Sequence, residues 1–295
     1  MERKKIWAVV LGVWVMGVAA GAARGAPITS PAPLGGPVVR QDDEPAAGER
    51  ISGEEALKRA YAIRKRSFGK EGEDKRSILL EAVAAYRTIL TRHADEPRTA
   101  AAAALRAGDL CRGLGRLEEA FDLYGKAVAI PEAGESAARA LLEIAHLLRR
   151  AERVEEAVQT YRDVGSRFPE EGNAVSQALL WVGKIEHERR NLDAARAAWT
   201  ELVTRFDEPE TRVVSAYDFL ASSHIDEGNE TRAREVLEEC SRRFAERASG
   251  ESRRARDLAR ALARMRSRAR LSTGVGEESI PEDEEPEEPV PDPEG

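Results

Sequence analysis

The chain is poor in the residues that staple, line or stiffen many other kinds of protein. Two cysteines in 295 residues exclude a disulfide-stapled scaffold and a four-thiolate zinc site. Aromatic side chains make up 5% of the sequence and methionine occurs 3 times. That scarcity, beside abundant Ala, Leu, Glu and Arg, favours helix over sheet. Basic charge is not in excess: 46 Lys and Arg stand against 53 Asp and Glu, a net charge of −7. Such a balance argues against nucleic-acid binding driven by bulk charge. No Gly-x-x-x-x-Gly-Lys-Ser/Thr segment occurs, which removes the common nucleotide cradle. The length itself suggests about two ordinary domains.

What is present begins with an apolar run. Arg3, Lys4 and Lys5 precede the uncharged stretch 6–19, and Ala20-Gly21-Ala22 follows it. A positive start, an apolar core and small residues at the peptidase spacing make residues 1–22 an export signal, with cleavage expected after Ala22. The core is of borderline length, so an uncleaved membrane anchor is the alternative. No cysteine directly follows the run to carry a lipid. Residues 23–50 hold Pro27, Pro31, Pro33, Pro37 and Pro45 with little apolar content, a linker expected to stay disordered. Residues 51–270 turn to helix formers with 3.6-residue periodicity. Residues 271–295 are rich in Pro and Glu and read as a disordered acidic tail.

Charge is divided unevenly among these parts. Residues 273–295 contain ten acidic residues and no basic ones. Loss of the signal would leave a net −9, of which residues 23–272 contribute +1. The acidity belongs to the tail.

Within the helical part the sequence repeats. Ala82, Ala120, Ala157, Ala195 and Ala233 recur at spacings of 38, 37, 38 and 38. Four residues after each stands Tyr86, Tyr124, Tyr161, Trp199 or Leu237, and twelve before the last four stand Gly108, Ala145, Gly183 and Ala221. Antiparallel helices about 8–10 Å apart need small residues where their axes approach. The large residue one turn on lies on the same face and is expected to fill the gap to the neighbouring hairpin. Three segments end alike, at Arg167-Phe168, Arg205-Phe206 and Arg243-Phe244. The stretch 68–72 interrupts the first hairpin between 54–66 and 77–93. A hairpin this small cannot bury a core alone, so several must stack.

These positions resemble the tetratricopeptide repeat, with its small residues at the eighth and twentieth places and a large apolar one at the twenty-fourth. The resemblance spans roughly residues 75–245, four hairpins and a leading half, and its 37–38-residue repeats are similar to those of exported envelope proteins. It implies an all-α, right-handed α–α superhelix. Residues 252–270, with an apolar stripe of Leu258, Ala261, Leu262, Met265 and Ala269 among eight arginines, are expected to cap its end.

Candidate chemistry is sparse. Ser67-Phe-Gly-Lys70 matches a Ser-x-x-Lys pattern without the companion motifs that such enzymes need. His187-Glu188 begins like a zinc-protease helix, but Asn191 stands where the second ligand belongs. The four histidines fall in different repeats, so no metal or catalytic set is expected to converge. Cys111 and Cys240 lie three repeats apart, about 30 Å, far beyond the reach of a disulfide. Asn229 is expected to cap a helix that starts near Glu230.

By resemblance, the first helix of each hairpin lines the concave face. The carry-over gives Leu105, Asp109, Arg112, Arg139, Leu142, His146, Arg149, Arg150, Leu180, Lys184, His187 and Asp218. This mostly basic set favours acidic peptides. The expectation is an exported, non-catalytic scaffold or adaptor binding another protein or peptide in the cell envelope, with no cofactor, no metal and no nucleic acid. The alternative is a membrane-anchored assembly factor for outer-membrane or envelope machinery, touching membrane only through an uncleaved N-terminus. An enzyme is the remote alternative.

Overall fold

The computed structural model describes residues 51–248, together with Arg260, Ala263 and Ser267, which are helical and exposed. The signal, the linker, the acidic tail and most of the expected capping helix lie outside the described residues. Among the described residues there are ten α-helices, one short 3₁₀ turn (Pro131–Ala133) and no strand. The helices form five hairpins: α1 (Gly53–Lys65) with α2 (Gly72–Arg92), α3 (Pro97–Gly113) with α4 (Leu117–Val128), α5 (Glu135–Arg150) with α6 (Val154–Arg167), α7 (Gly172–Glu188) with α8 (Leu192–Arg205), and α9 (Glu210–Asp226) with α10 (Glu230–Ala248). The leading half-hairpin of the sequence reading is therefore a whole one. Ser52 caps α1 by accepting from the Glu55 amide at 3.2 Å, and Ala56 and Ala60 bury its inner face. The 68–72 interruption is its turn, where Gly69 and Gly72 take positive φ angles of 74° and 58°.

The turns inside the other four hairpins share one geometry. Gly115, Glu152, Arg190 and Gly228 all adopt left-handed backbone, with φ between 61° and 76°. After each, an amide bonds back five residues: Arg116 to Cys111, Arg153 to Leu148, Asn191 to Glu186 and Asn229 to His224. This is the Schellman closure of a helix C-terminus, which satisfies carbonyls that the helix leaves unpaired. Asn229 then caps α10, its Oδ1 accepting from the Arg232 amide at 3.1 Å.

Packing corrects one expectation. The large residue of the second helix is seated inside its own hairpin, over the small residue of the first helix. A Cβ added to Gly108 would stand 2.6 Å from the Tyr124 ring, and one added to Gly183 would stand 2.2 Å from Trp199 Nε1. Ala82, Ala120, Ala157 and Ala195 have no exposed surface, and Ala233 only 1%. Ala145, Ala221, Tyr86, Tyr161 and Leu237 are buried with them.

The third and fifth hairpins are also tied to the one before them by an arginine. Arg167 donates to the Val128 carbonyl at 3.3 Å, and Arg243 donates to Val203 and Phe206 carbonyls while pairing with Asp207 at 2.8 Å. The arginine of the Arg-Phe pair thus closes the C-terminal end of the preceding second helix, where carbonyls are exposed and partial charge is negative. Arg205 instead bonds Glu201 within its own helix. Arg212 of α9 makes the same backward reach from a first helix, to Asn173 and Ser176. The apolar core falls into two clusters, one running from Ala56 to Ile185 with Ala198, the other from Ala195 to Phe244.

The backbones of successive first helices come close to one another (α1 with α3, α3 with α5, α5 with α7, α7 with α9), whereas those of successive second helices stay farther apart and meet only through long side chains. The stack is therefore tighter along the odd-numbered helices, and these build its inner face.

Candidate functional site

The inner face holds the residues carried over from the sequence, but it treats them differently. Leu105 and Leu142 are buried in the core and present little apolar surface to a ligand. Leu180 is half-buried, and its carbonyl accepts from Trp199 Nε1 at 3.4 Å. Arg112 and Asp109 consume each other's charge. Tyr124 donates to Asp109 at 2.9 Å, while Arg112 donates to the same hydroxyl at 3.2 Å and lies 3.5 Å from Glu143. Burial and the neighbouring Asp109 raise the Tyr124 phenol well above its ordinary range. Burial likewise raises the Glu143 carboxyl, with Arg112 pulling it back. His187 is tied to Asp226 of the next hairpin at 2.8 Å, and Asp218 is half-buried.

His146 is a packing histidine. Its Nδ1 lies 2.5 Å from the Tyr161 hydroxyl and its Nε2 lies 3.4 Å from Gln177 Nε2. That arrangement suits a neutral ring with its proton on Nδ1. Burial first, and then the charges of Arg149, Arg150 and Arg112, lower its pKa to about 4. It is uncharged at neutral pH and cannot serve as a cationic contact.

Arg139, Arg149, Arg150 and Lys184 remain, and none forms an ion pair among the described residues. Two of them are organised by aromatic rings that the sequence reading did not single out. Arg149 lies 4.2 Å over the Trp181 ring, Lys184 lies 4.4 Å from the same ring, and Lys184 also sits 5.3 Å from Phe219. Phe219 in turn stacks on Trp199 at 5.3 Å, with 17° between the rings. The result is a half-exposed strip of cations and aromatics crossing α5, α7 and α9. Trp181 and Phe219 stand two residues before the small position of their helices, Gly183 and Ala221, and that offset is the signal by which they could have been found. Rings hold the cations through their negative faces, and the same rings offer flat apolar area to a ligand.

The other motifs behave as packing. Ser67 is buried in the α1–α2 turn and donates to the Arg64 carbonyl at 2.7 Å. Cys111 and Cys240 are free and buried, and burial pushes the Cys240 thiol up to about 12. Among the described residues no group of three His, Cys, Asp or Glu is placed to hold a metal ion. No helix among them is long and apolar enough to cross a membrane.

The fold and its inner face define a tetratricopeptide-type helical solenoid, an architecture that supports protein–protein interaction. Residues 139–171, which cover most of α5 and all of α6, match the tetratricopeptide repeat family, so the chain carries this repeat. No curated protein matches the sequence. Among solved structures, the apo form of RapI is similar at 12% identity and a TM-score of 0.54, over 77% of this chain and 61% of that one. BtubC from P. vanneervenii matches at 16% identity and a TM-score of 0.49, over 68% and 90%. YrrB, described as a TPR protein with an unusual peptide-binding site, matches at 15% identity and a TM-score of 0.40, over 71% and 98%.

Proposed function

We propose that the chain is an exported, non-catalytic scaffold whose inner helix face docks an acidic peptide segment of another envelope protein. The supporting observation is the strip formed by Arg149, Trp181, Lys184 and Phe219. Two unpaired cations held over half-exposed rings present both charge and flat apolar surface, the combination that recognises an extended acidic segment. Export rests on the charged and apolar pattern of residues 1–22. The same segment, left uncleaved, favours the second reading of an anchored assembly factor. Mass measurement of the mature N-terminus after membrane fractionation separates the two. Crosslinked capture from native envelope, with the R149E/K184E double variant beside the native chain, tests the docking face. The partner is expected to be retained by the native chain and lost by the variant at unchanged helicity. Equal retention by both would reject the strip as the docking surface.

A further inference from the structure

A second feature of the inner face lies towards its N-terminal end. Arg64 of α1, Arg106 of α3 and Arg139 of α5 line one cleft of about 380 Å³, with Asp109, Glu135 and Ser136. Three consecutive first helices thus each contribute one guanidinium, and none of the three forms an ion pair among the described residues. Of the two carboxylates, Asp109 is already bonded to Tyr124 and faces Arg112 at 3.8 Å. Glu135 alone opposes an incoming anion with an exposed carboxylate. Guanidiniums bind carboxylates through paired donors, so the cleft suits a segment carrying several carboxylates close together.

Such a segment belongs to the chain itself. Residues 277–294 contain ten acidic residues and no basic ones. We propose that this tail occupies the Arg64–Arg106–Arg139 cleft and competes there with any acidic ligand from outside. Reach allows it. The cleft stands about three hairpin layers from α10, roughly 30 Å at about 10 Å per layer. Residues 249–276 could span about 90 Å fully extended. If 252–270 keep the helical rise expected from their sequence, the span is still roughly 60 Å. A segment tethered this way acts at an effective concentration on the order of mM.

The test uses full-length protein and a labelled peptide of residues 277–294, followed by fluorescence anisotropy at low salt. One chain keeps its tail; the other has the ten tail acids replaced by Gln or Asn. For a peptide dissociation constant near 0.1 mM, an effective concentration of about 1 mM weakens binding about tenfold in the intact chain. In the tail-neutral chain, R106E or R139E should abolish binding, whereas Glu135→Gln should tighten it, a gain that misfolding cannot produce. Equal affinity for intact and tail-neutral chains would overturn the proposal, as would binding that survives both arginine reversals. All titrations are made in an R149E/K184E background, so that the strip adds no binding of its own and the result stands apart from the fate of the proposed partner surface.

Discussion

At the scale of single residues, the fold depends on where a side chain is missing. Gly108 and Gly183 admit the rings of Tyr124 and Trp199 at distances no Cβ could share. Gly125, in the last turn of α4, has nothing within 4 Å of an added Cβ. Alanine should therefore act in opposite senses at these sites. Gly183→Ala is expected to cost ~1–3 kcal/mol by overpacking, whereas Gly125→Ala should gain about 0.5–1 kcal/mol from helix propensity. Urea melts of both variants check the contrast. His146 supplies a second case. Its folded pKa of about 4 lies below the ordinary 6.5, so the unfolded chain binds a proton first as pH falls. The stability from its neutral burial is complete above pH 6.5 and is lost between 6.5 and 4. The loss should be about 2 kcal/mol, less than the whole shift implies because the ring is still partly in water. His146→Gln should flatten that part of a stability-versus-pH curve.

At the scale of helices and turns, two non-glycine residues hold a conformation that glycine takes more cheaply. Glu152 and Arg190 sit at φ 61° and 63°, in the register that Gly115 and Gly228 occupy. Left-handed backbone costs an L-residue roughly 1–2 kcal/mol. Glu152→Gly and Arg190→Gly are thus expected to raise the unfolding free energy by about 1 kcal/mol each, read from urea melts. The Arg243 latch predicts the reverse. Its guanidinium satisfies helix-end carbonyls and Asp207 together, so Arg243→Ala should cost about 2 kcal/mol. Arg232→Ala, which breaks an exposed pair with Glu235, should change stability by less than about 0.5 kcal/mol.

At the scale of the whole described solenoid, the two core clusters meet at α8, where Ala198 joins one and Ala195, Trp199 and Leu202 the other. In a stack whose units contact only their neighbours, stability is a sum of local terms. Phe244 has no exposed surface, and Phe244→Ala should cost about 3–5 kcal/mol. Hydrogen exchange is expected to quicken across α8–α10 while α3–α6 keep their protection. A uniform loss of protection would show that the solenoid unfolds as one unit.

The recurrent alanines and the residues four places on made the helical hairpins legible in the sequence, because close helix packing tolerates few side chains at the point of approach. The same spacing placed the basic residues on first helices. It could not tell which of those charges are spent inside the protein. Arg112 is taken up by Asp109, Tyr124 and Glu143, and His187 by Asp226, through partners 3 to 39 residues away. His146 loses its charge to burial, a property of the space around it. Trp181 and Phe219 gained their place when neighbouring helices brought Arg149 over the first and Lys184 over the second. Periodicity along one chain determines which faces are buried; the charge and shape of a surface arise between helices, and only the tertiary structure decides those.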